Sequence, residues 1–253
     1  MNRSKTIVVV VATAVAMALL GGCTPAQFQR WWTERGNAPL PEPELSRLAA
    51  VATDYWAEVF RKGRFHADVL PIDAALAARM TPTSWRPGCP VPLSDLRYIR
   101  ASFMAFDGSE QTGEIVVHRD AAQVTVALLK GMWEHRFPME RMRLVDDYGG
   151  SDDASIAANN TSAFNCRAAT GGSNWSQHAY GRAIDINPVQ NPYVTNSVVL
   201  PAAGAAYLDR GNVRPGMIVP GSIVWNVVKF VKWGWGGDWT SLKDYQHVSP
   251  SGR

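Results

Sequence analysis

The sequence has little net charge and no basic run. It contains 25 lysine and arginine residues against 22 aspartate and glutamate residues, a formal charge of +3 over 253 residues. Removing Arg3 and Lys5, which lie in a segment that we expect to be cleaved, leaves 23 basic residues against 22 acidic ones. A nearly neutral chain has no general attraction for a phosphate backbone, so nucleic-acid binding is excluded.

Long apolar runs are also absent, except at the N-terminus. Arg3 and Lys5 precede the apolar run 6–20, which is shorter than the roughly 20 residues that a membrane span needs. The run ends in Leu-Gly-Gly-Cys at 20–23, which looks like a bacterial lipobox. We therefore expect a signal peptide over 1–22 and a lipid on Cys23, which anchors the protein to the outer face of the membrane. The alternative is an ordinary secretory signal with an incidental cysteine.

Cysteine is rare, with three residues in the whole chain. Cys89 and Cys166 remain after Cys23, and an exported chain meets an oxidising compartment, which favours a disulfide between them. A thiolate zinc site and a nucleophilic cysteine are the alternatives. The lack of a C-x-x-C pair disfavours the first, and neither cysteine has a recognisable nucleophile setting.

The order of predicted elements indicates an α+β fold, a small antiparallel sheet flanked by helices. A proline-containing tether and a helix over 45–61 are expected within residues 23–63, before a main domain over 64–253. The remaining expectations are helices at 71–80, 121–136 and 224–231, and strands at 96–106 and 111–118 joined around Asp107-Gly108. A short strand at 140–145 is expected to lead into a polar loop over 146–160. No internal repeat is present, and we expect a monomer.

Most histidines have no ligand pattern around them. His66, His118 and His135 are interpreted as structural or surface residues, and Met139 stands where an HExxH helix would need its second histidine. The exceptions lie in the stretch Ser-Gln-His-Ala-Tyr-Gly-Arg-Ala-Ile-Asp at 176–185 and in Asp-Tyr-Gln-His at 244–247.

Together these two stretches supply the inventory of a catalytic zinc site. His178, Asp185 and His247 are two imidazoles and a carboxylate, which leave one coordination position open. Asp244 is a spare carboxylate that would take a proton from an attacking water molecule. The alternatives are two structural histidines, an Asp185 that caps a turn, and an Asp244 that is a solvated surface acid.

The compound pattern resembles the zinc D-Ala-D-Ala carboxypeptidases and L-alanyl-D-glutamate endopeptidases, which share an α+β fold with the Hedgehog signalling domain. The resemblance covers roughly 146–249. It implies that His178, Asp185 and His247 bind Zn²⁺ and that Asp244 is the general base. It also implies that the protein hydrolyses peptidoglycan stem peptides, and an aspartate at 244 favours the endopeptidase branch.

The resemblance extends to residues around the metal. Arg167 falls where family members carry an arginine that binds substrate and stabilises the developing oxyanion. A structural ion pair is its alternative role. Ser176 is implied as a substrate contact or as a residue that supports the metal ligands, and Gln177 as a substrate contact. Because Hedgehog domains keep this fold without peptidase activity, the rival function is a non-catalytic lipoprotein that binds the cell wall.

The C-terminal tryptophans at 233, 235 and 239 suggest either stacking on glycan or burial in a small core. Burial is the more common role of such residues, so we expect them in the core.

Overall fold

The computed structural model describes residues 65–252, together with residues 30, 33, 34 and 41. The compact unit Phe65–Arg253 contains nearly all of them. The predicted signal peptide, Cys23, most of the tether and the helix at 45–61 lie outside the described residues. Among the described residues, no helix is long and apolar enough to cross a membrane.

The largest sheet is antiparallel and has three strands in the order β1-β2-β3. They are β1 (Ala67–Pro71), β2 (Leu96–Met104) and β3 (Glu110–His118). Alternate residues of β2 and β3, such as Ile99 and Val117, are fully buried in the core. Gly108, at φ +81°, makes the turn between the two strands. The predicted hairpin is therefore confirmed, with ends that differ by one or two residues.

Three of the four described helices correspond to predicted ones. α1 (Ala74–Met80) begins later than the predicted 71–80, because Pro71 pairs in β1 and Asp73 caps the helix by accepting from the Leu76 amide at 2.8 Å. α2 (Ala122–Glu134) and α4 (Ile223–Phe230) match predictions within two residues. They pack against each other, and α2 also covers β2. The short α3 (Asp152–Ala157) lies in a predicted loop.

The predicted strand at 140–145 is wrong in its length. Only β4 (Arg141–Met142) is extended and paired, parallel to β5 (Asn160–Thr161). Val145 already begins a 3₁₀ turn that closes at Gly149, a residue at φ +65°. The backbone therefore turns before a longer strand can form.

Two further three-stranded sheets form the C-terminal part of the fold. One has the order β6-β11-β9, with β6 (Ile184–Asp185), β11 (His247–Ser249) and β9 (Gly234–Trp235). The other has the order β10-β7-β8, with β10 (Lys243–Asp244), β7 (Tyr193–Val194) and β8 (Val199–Leu200). Helices combined with small antiparallel sheets are the α+β architecture that the sequence predicted.

A disulfide joins Cys89 to Cys166 and confirms the predicted pairing. The two cysteines are 77 residues apart in the sequence. Cys166 is fully buried in a second hydrophobic cluster with Met80, Leu96 and Phe164. The bridge therefore fastens the segment that leads into residues 176–185.

Candidate metal centre

Strand pairing brings Asp185 and His247 together. Asp185 in β6 stands directly opposite His247 in β11, so both side chains project from the same face of the sheet. On its other side, Asp185 exchanges two backbone hydrogen bonds with Ser162, at 2.9 and 3.0 Å. The side chains of Asp185 and His247 are 3% and 7% exposed, so the pair is withdrawn from water.

A 3₁₀ turn, Gln177–Tyr180, presents His178 to this pair. Ser176 caps the turn because its Oγ accepts from the His178 amide at 3.3 Å. Gly181 closes the turn at φ +65°, and a Cβ there would lie 2.6 Å from the backbone nitrogen of His118. Glycine is therefore required by both the backbone angle and the contact. The His178 ring donates from Nδ1–H to the Ala163 carbonyl at 2.6 Å.

The three side chains converge through one ring nitrogen of each histidine and the two carboxylate oxygens of Asp185. His178 Nε2 lies 3.2 Å from Asp185 Oδ2 and 3.3 Å from His247 Nδ1. His247 Nδ1 lies 3.4 Å from Asp185 Oδ1. Ligand atoms about 2.0–2.1 Å from a tetrahedral zinc ion stand about 3.3 Å from each other. The spacing of these atoms therefore fits a zinc ion.

The hydrogen bonding of the cluster also fits a metal. The Nδ1–H bond to Ala163 fixes the tautomer of neutral His178, so that its Nε2 carries a lone pair towards the other two residues. Asp185 Oδ1 is buried and makes no hydrogen bond within the described part of the chain. Unpaired buried lone pairs cost free energy unless a cation satisfies them.

The charges of the cluster are those of a metal site. Burial opposes ionisation of Asp185, but the facing histidines more than offset it and hold the pKa of Asp185 far below its usual range. Burial lowers the pKa of His178, whereas the Asp185 charge raises it by more, so the net direction is upward. Both shifts favour positive charge beside the Asp185 carboxylate.

Asp244 lies beside this cluster in β10, opposite Tyr193 of β7. Its Oδ1 is enclosed and has no hydrogen-bond partner among the described residues. Burial, followed by the nearby Asp185 charge, raises the pKa of Asp244 to about 7. Asp244 is therefore not the solvated surface acid of the alternative interpretation, and its pKa suits proton exchange near neutral pH.

Arg167 lies on the wall of the same cleft. Its Nη2 contacts Asp152 Oδ2 at 2.7 Å, and its Nη1 donates to the Ala168 carbonyl at 3.0 Å. The ion pair that was the alternative role of Arg167 is thus present. Asp152 falls in a stretch that the sequence predicted to be a loop, so sequence reasoning missed it as a partner. Ser151, which caps α3 by accepting from the Ala154 amide, was its only local sign.

The cleft itself has a volume of about 330 Å³. Ser176 and Gln177 lie on its wall beside the metal cluster. The lining also includes aromatic and apolar residues that the sequence did not single out for the site: Trp175, Tyr193, Leu200 and Leu242. A pocket that combines apolar lining with a few convergent polar groups is typical of a substrate site.

The tryptophans divide between the core and the cleft. Trp233 and Trp235 are buried, as predicted, whereas Trp239 is partly exposed and its ring centre lies 5.6 Å from that of His247. The other histidines lie apart from the metal cluster. His66 and His118 pair with Asp68 and Asp120, and His135 bonds to the Gly131 carbonyl.

Comparison with known proteins places this site in a family context. Residues 170–250 match the model of a family described as D-alanyl-D-alanine carboxypeptidase. The matched segment contains all three metal-cluster residues and Asp244, which confirms the resemblance predicted from the motif and supports a peptidase. No curated protein and no solved structure is significantly similar to the chain.

Proposed function

We propose, on the premise of this family match, that the chain is a zinc-dependent peptidase that hydrolyses peptide bonds in peptidoglycan stem peptides. The observation that carries the proposal is the mutual spacing of His178 Nε2, Asp185 and His247 Nδ1, at 3.2–3.4 Å, within the matched segment. Two imidazoles and one carboxylate leave an open position, as catalytic rather than structural zinc sites do.

His178, Asp185 and His247 would hold the zinc ion. When bound, zinc supplies Lewis acidity that polarises a substrate carbonyl and lowers the pKa of water. The protein keeps these three groups in place before substrate arrives: Asp185 and His247 through their strand pairing, and His178 through its bond to Ala163. Such preorganisation lowers the cost of reorganisation during the reaction.

Asp244 acts as the general base. With a pKa of about 7, it accepts a proton from the attacking water molecule and returns the proton to the leaving amine. An ordinary surface aspartate would be too weak a base for this exchange near neutral pH, because its pKa is about 3.9. The burial that raises the pKa of Asp244 therefore supports its catalytic role.

Arg167 donates hydrogen bonds to the substrate oxygen on which negative charge develops. A guanidinium is a planar, rigid fork of hydrogen-bond donors. The side chain is 23% exposed, so it remains accessible from the cleft. Ser176 contributes by capping the turn of His178, and Gln177 contacts the peptide.

Two bonds of the stem peptide are candidates, L-Ala–D-Glu and D-Ala-D-Ala. The description of the matched family names the second, whereas the aspartate at 244 resembles the endopeptidase branch. We also propose that the domain has the Hedgehog/DD-peptidase type of fold. We also propose that export and a lipid on Cys23 hold the protein at the outer face of the membrane, where its substrate lies.

The test uses protein that lacks residues 1–22, in the wild-type and Asp244→Asn forms. Asp238→Asn is the matched control, because Asp238 is an exposed acid that pairs with Lys229 outside the cleft. Zinc content is measured first, and then muropeptide products are identified by mass spectrometry. We expect one zinc per chain in all three forms and cleavage by all except Asp244→Asn.

The fragment masses would identify the bond. A wild-type protein that binds zinc but cuts no muropeptide would overturn the proposal and favour the rival function, a non-catalytic wall-binding lipoprotein. Cleavage by Asp244→Asn at the wild-type rate would instead remove Asp244 from the mechanism.

A further inference from the structure

The Arg167–Asp152 ion pair differs from an ordinary surface pair. Nη2 and Oδ2 are 2.7 Å apart, and the side chains are only 23% and 24% exposed. Burial raises the pKa of Asp152, with the Arg167 charge opposing it. Exposed pairs contribute little because water and salt screen them, but a half-buried pair at this distance holds a defined geometry.

Both partners are attached to a well-fixed part of the backbone. Asp152 opens α3 immediately after its cap, Ser151. Asn165, two residues before Arg167, donates from Nδ2 to the Gly150 carbonyl at 3.2 Å. Cys166, between Asn165 and Arg167, is held by the disulfide. The start of α3 and the segment that carries Arg167 are thus linked independently of the ion pair.

The donors of Arg167 are divided between the protein and the cleft. Of the five N–H groups of a guanidinium, one on Nη1 donates to the Ala168 carbonyl, and Nη2 forms the ion pair with Asp152. Nε is enclosed and makes no hydrogen bond within the described residues. The remaining hydrogens on Nη1 and Nη2 are the ones that a ligand in the cleft can reach. Their direction depends on the two protein acceptors, and Asp152 is the only one that is a side chain.

We propose that Asp152 is a positioning residue, which fixes the guanidinium of Arg167 so that its free Nη hydrogens point at the substrate oxygen. The proposal rests on the proposed function for its catalytic consequence. Asp152 touches no reacting atom in this scheme and acts through Arg167 alone.

The test is a double-mutant cycle on kcat and KM with the muropeptide that the wild type cleaves. The variants are Asp152→Ala, Arg167→Ala and the double variant, and Asp238→Asn is the control for activity. Asp153→Asn, in the same helical turn but on the wall of the cleft, is the control for an NMR measurement. We expect Asp152→Ala to lower kcat/KM by about tenfold to a hundredfold, as misplacement of a catalytic group by about 1 Å does. In the Arg167→Ala background the same change should have no further effect.

Two readouts separate positioning from general damage to the fold. Asp152→Glu keeps the carboxylate and should recover part of the lost kcat/KM. If Asp152→Ala lowers mainly kcat, Arg167→Ala should also lower mainly kcat, and the same holds for a change in KM. Zinc content and melting temperature are measured for every variant. An additive cycle, or a loss of zinc in Asp152→Ala, would overturn the proposal.

A third readout does not depend on enzymatic activity. In protein labelled with ¹⁵N-arginine, NMR should show a guanidinium with hindered Nη2 rotation that disappears in Arg167→Ala. This hindrance should be lost in Asp152→Ala and kept in Asp153→Asn. If the wild type cuts nothing, the proposed function fails, while the NMR result still decides whether Asp152 fixes Arg167. Hindered rotation that persists in Asp152→Ala would refute the positioning role.

Discussion

Gly236→Ala should displace the proposed base without touching any metal ligand. Gly236 begins the 3₁₀ turn Gly236–Asp238 and packs against β10. A Cβ at this position would lie 2.3 Å from the Asp244 carbonyl oxygen and 2.9 Å from the Asp244 Cβ. Since both close contacts are with Asp244, an added methyl group pushes on this residue first.

The size of the effect follows from these distances. Ordinary van der Waals contact begins at 3.4 Å, so the Asp244 backbone has to retreat by about 1 Å. Displacing a catalytic group this far costs about a hundredfold in rate. Overpacking of a well-filled site also destabilises a protein, typically by about 1–3 kcal/mol. We therefore expect kcat/KM to fall by about a hundredfold, with a modest loss of stability.

The assay compares Gly236→Ala with Gly172→Ala, in which a new Cβ would meet nothing closer than 3.7 Å. Both variants are tested for muropeptide cleavage, zinc content and thermal unfolding. Gly172→Ala should behave like the wild type in all three. If Gly236→Ala is folded, holds zinc and cleaves within twofold of the wild-type rate, the position of Asp244 does not limit the reaction and the reasoning is refuted.

Three further predictions concern the metal, pH and the disulfide. Removal of zinc by a chelator should abolish cleavage. Free zinc at a hundred times its Kd should then raise the free energy of unfolding of the wild type by about 2.7 kcal/mol, but not that of Asp185→Ala, as measured by thermal unfolding. Burial raises the pKa of Glu114, but hydrogen bonds from Arg79 and Tyr98 outweigh it and leave the pKa below its usual 4.5. The stabilisation by Glu114, about 1 kcal/mol, is therefore present above pH 4.5 and lost as pH falls through the lowered pKa. Urea unfolding should show Glu114→Gln to be less stable than the wild type at pH 7 and equal to it in strong acid; a difference that persists in acid would contradict this assignment. Reducing Cys89–Cys166, which closes a loop of 77 residues, should lower the free energy of unfolding by about 4 kcal/mol, and an unchanged urea midpoint would contradict the estimate.

Local sequence patterns were sufficient to predict the helices and strands that are determined by interactions between residues close together in the chain. The hairpin of β2 and β3 follows from residue alternation on either side of Asp107-Gly108, and α2 follows from helical spacing of apolar residues. The start of α1 was wrong because the pairing of Pro71 with Arg97 is a contact between distant parts of the chain. No local pattern around Pro71 reports such a pairing.

The partner of Arg167 was missed for a related reason. Asp152 stands among several acids in a polar stretch, and a single sequence does not indicate which acid is turned towards the cleft. Folding selects it through the cap at Ser151 and the bond from Asn165 to Gly150. Neither interaction can be recognised reliably in the sequence, and together they hold the Asp152 carboxylate near Arg167.

The candidate metal cluster shows what a compound motif can indicate that general patterns cannot. His247 and Asp185 meet because β11 pairs with β6 in one particular register, and a shift of one residue would turn one side chain to the opposite face. Nothing in the local sequence of two strands of two and three residues specifies that register. The compound motif indicates that His247 and Asp185 come together, because the family resemblance implies that its two distant stretches lie side by side in the fold. The same dependence makes the proposed metal site sensitive to β11. A substitution at Val248 that alters the pairing would separate His247 from Asp185 while leaving every proposed ligand in the sequence.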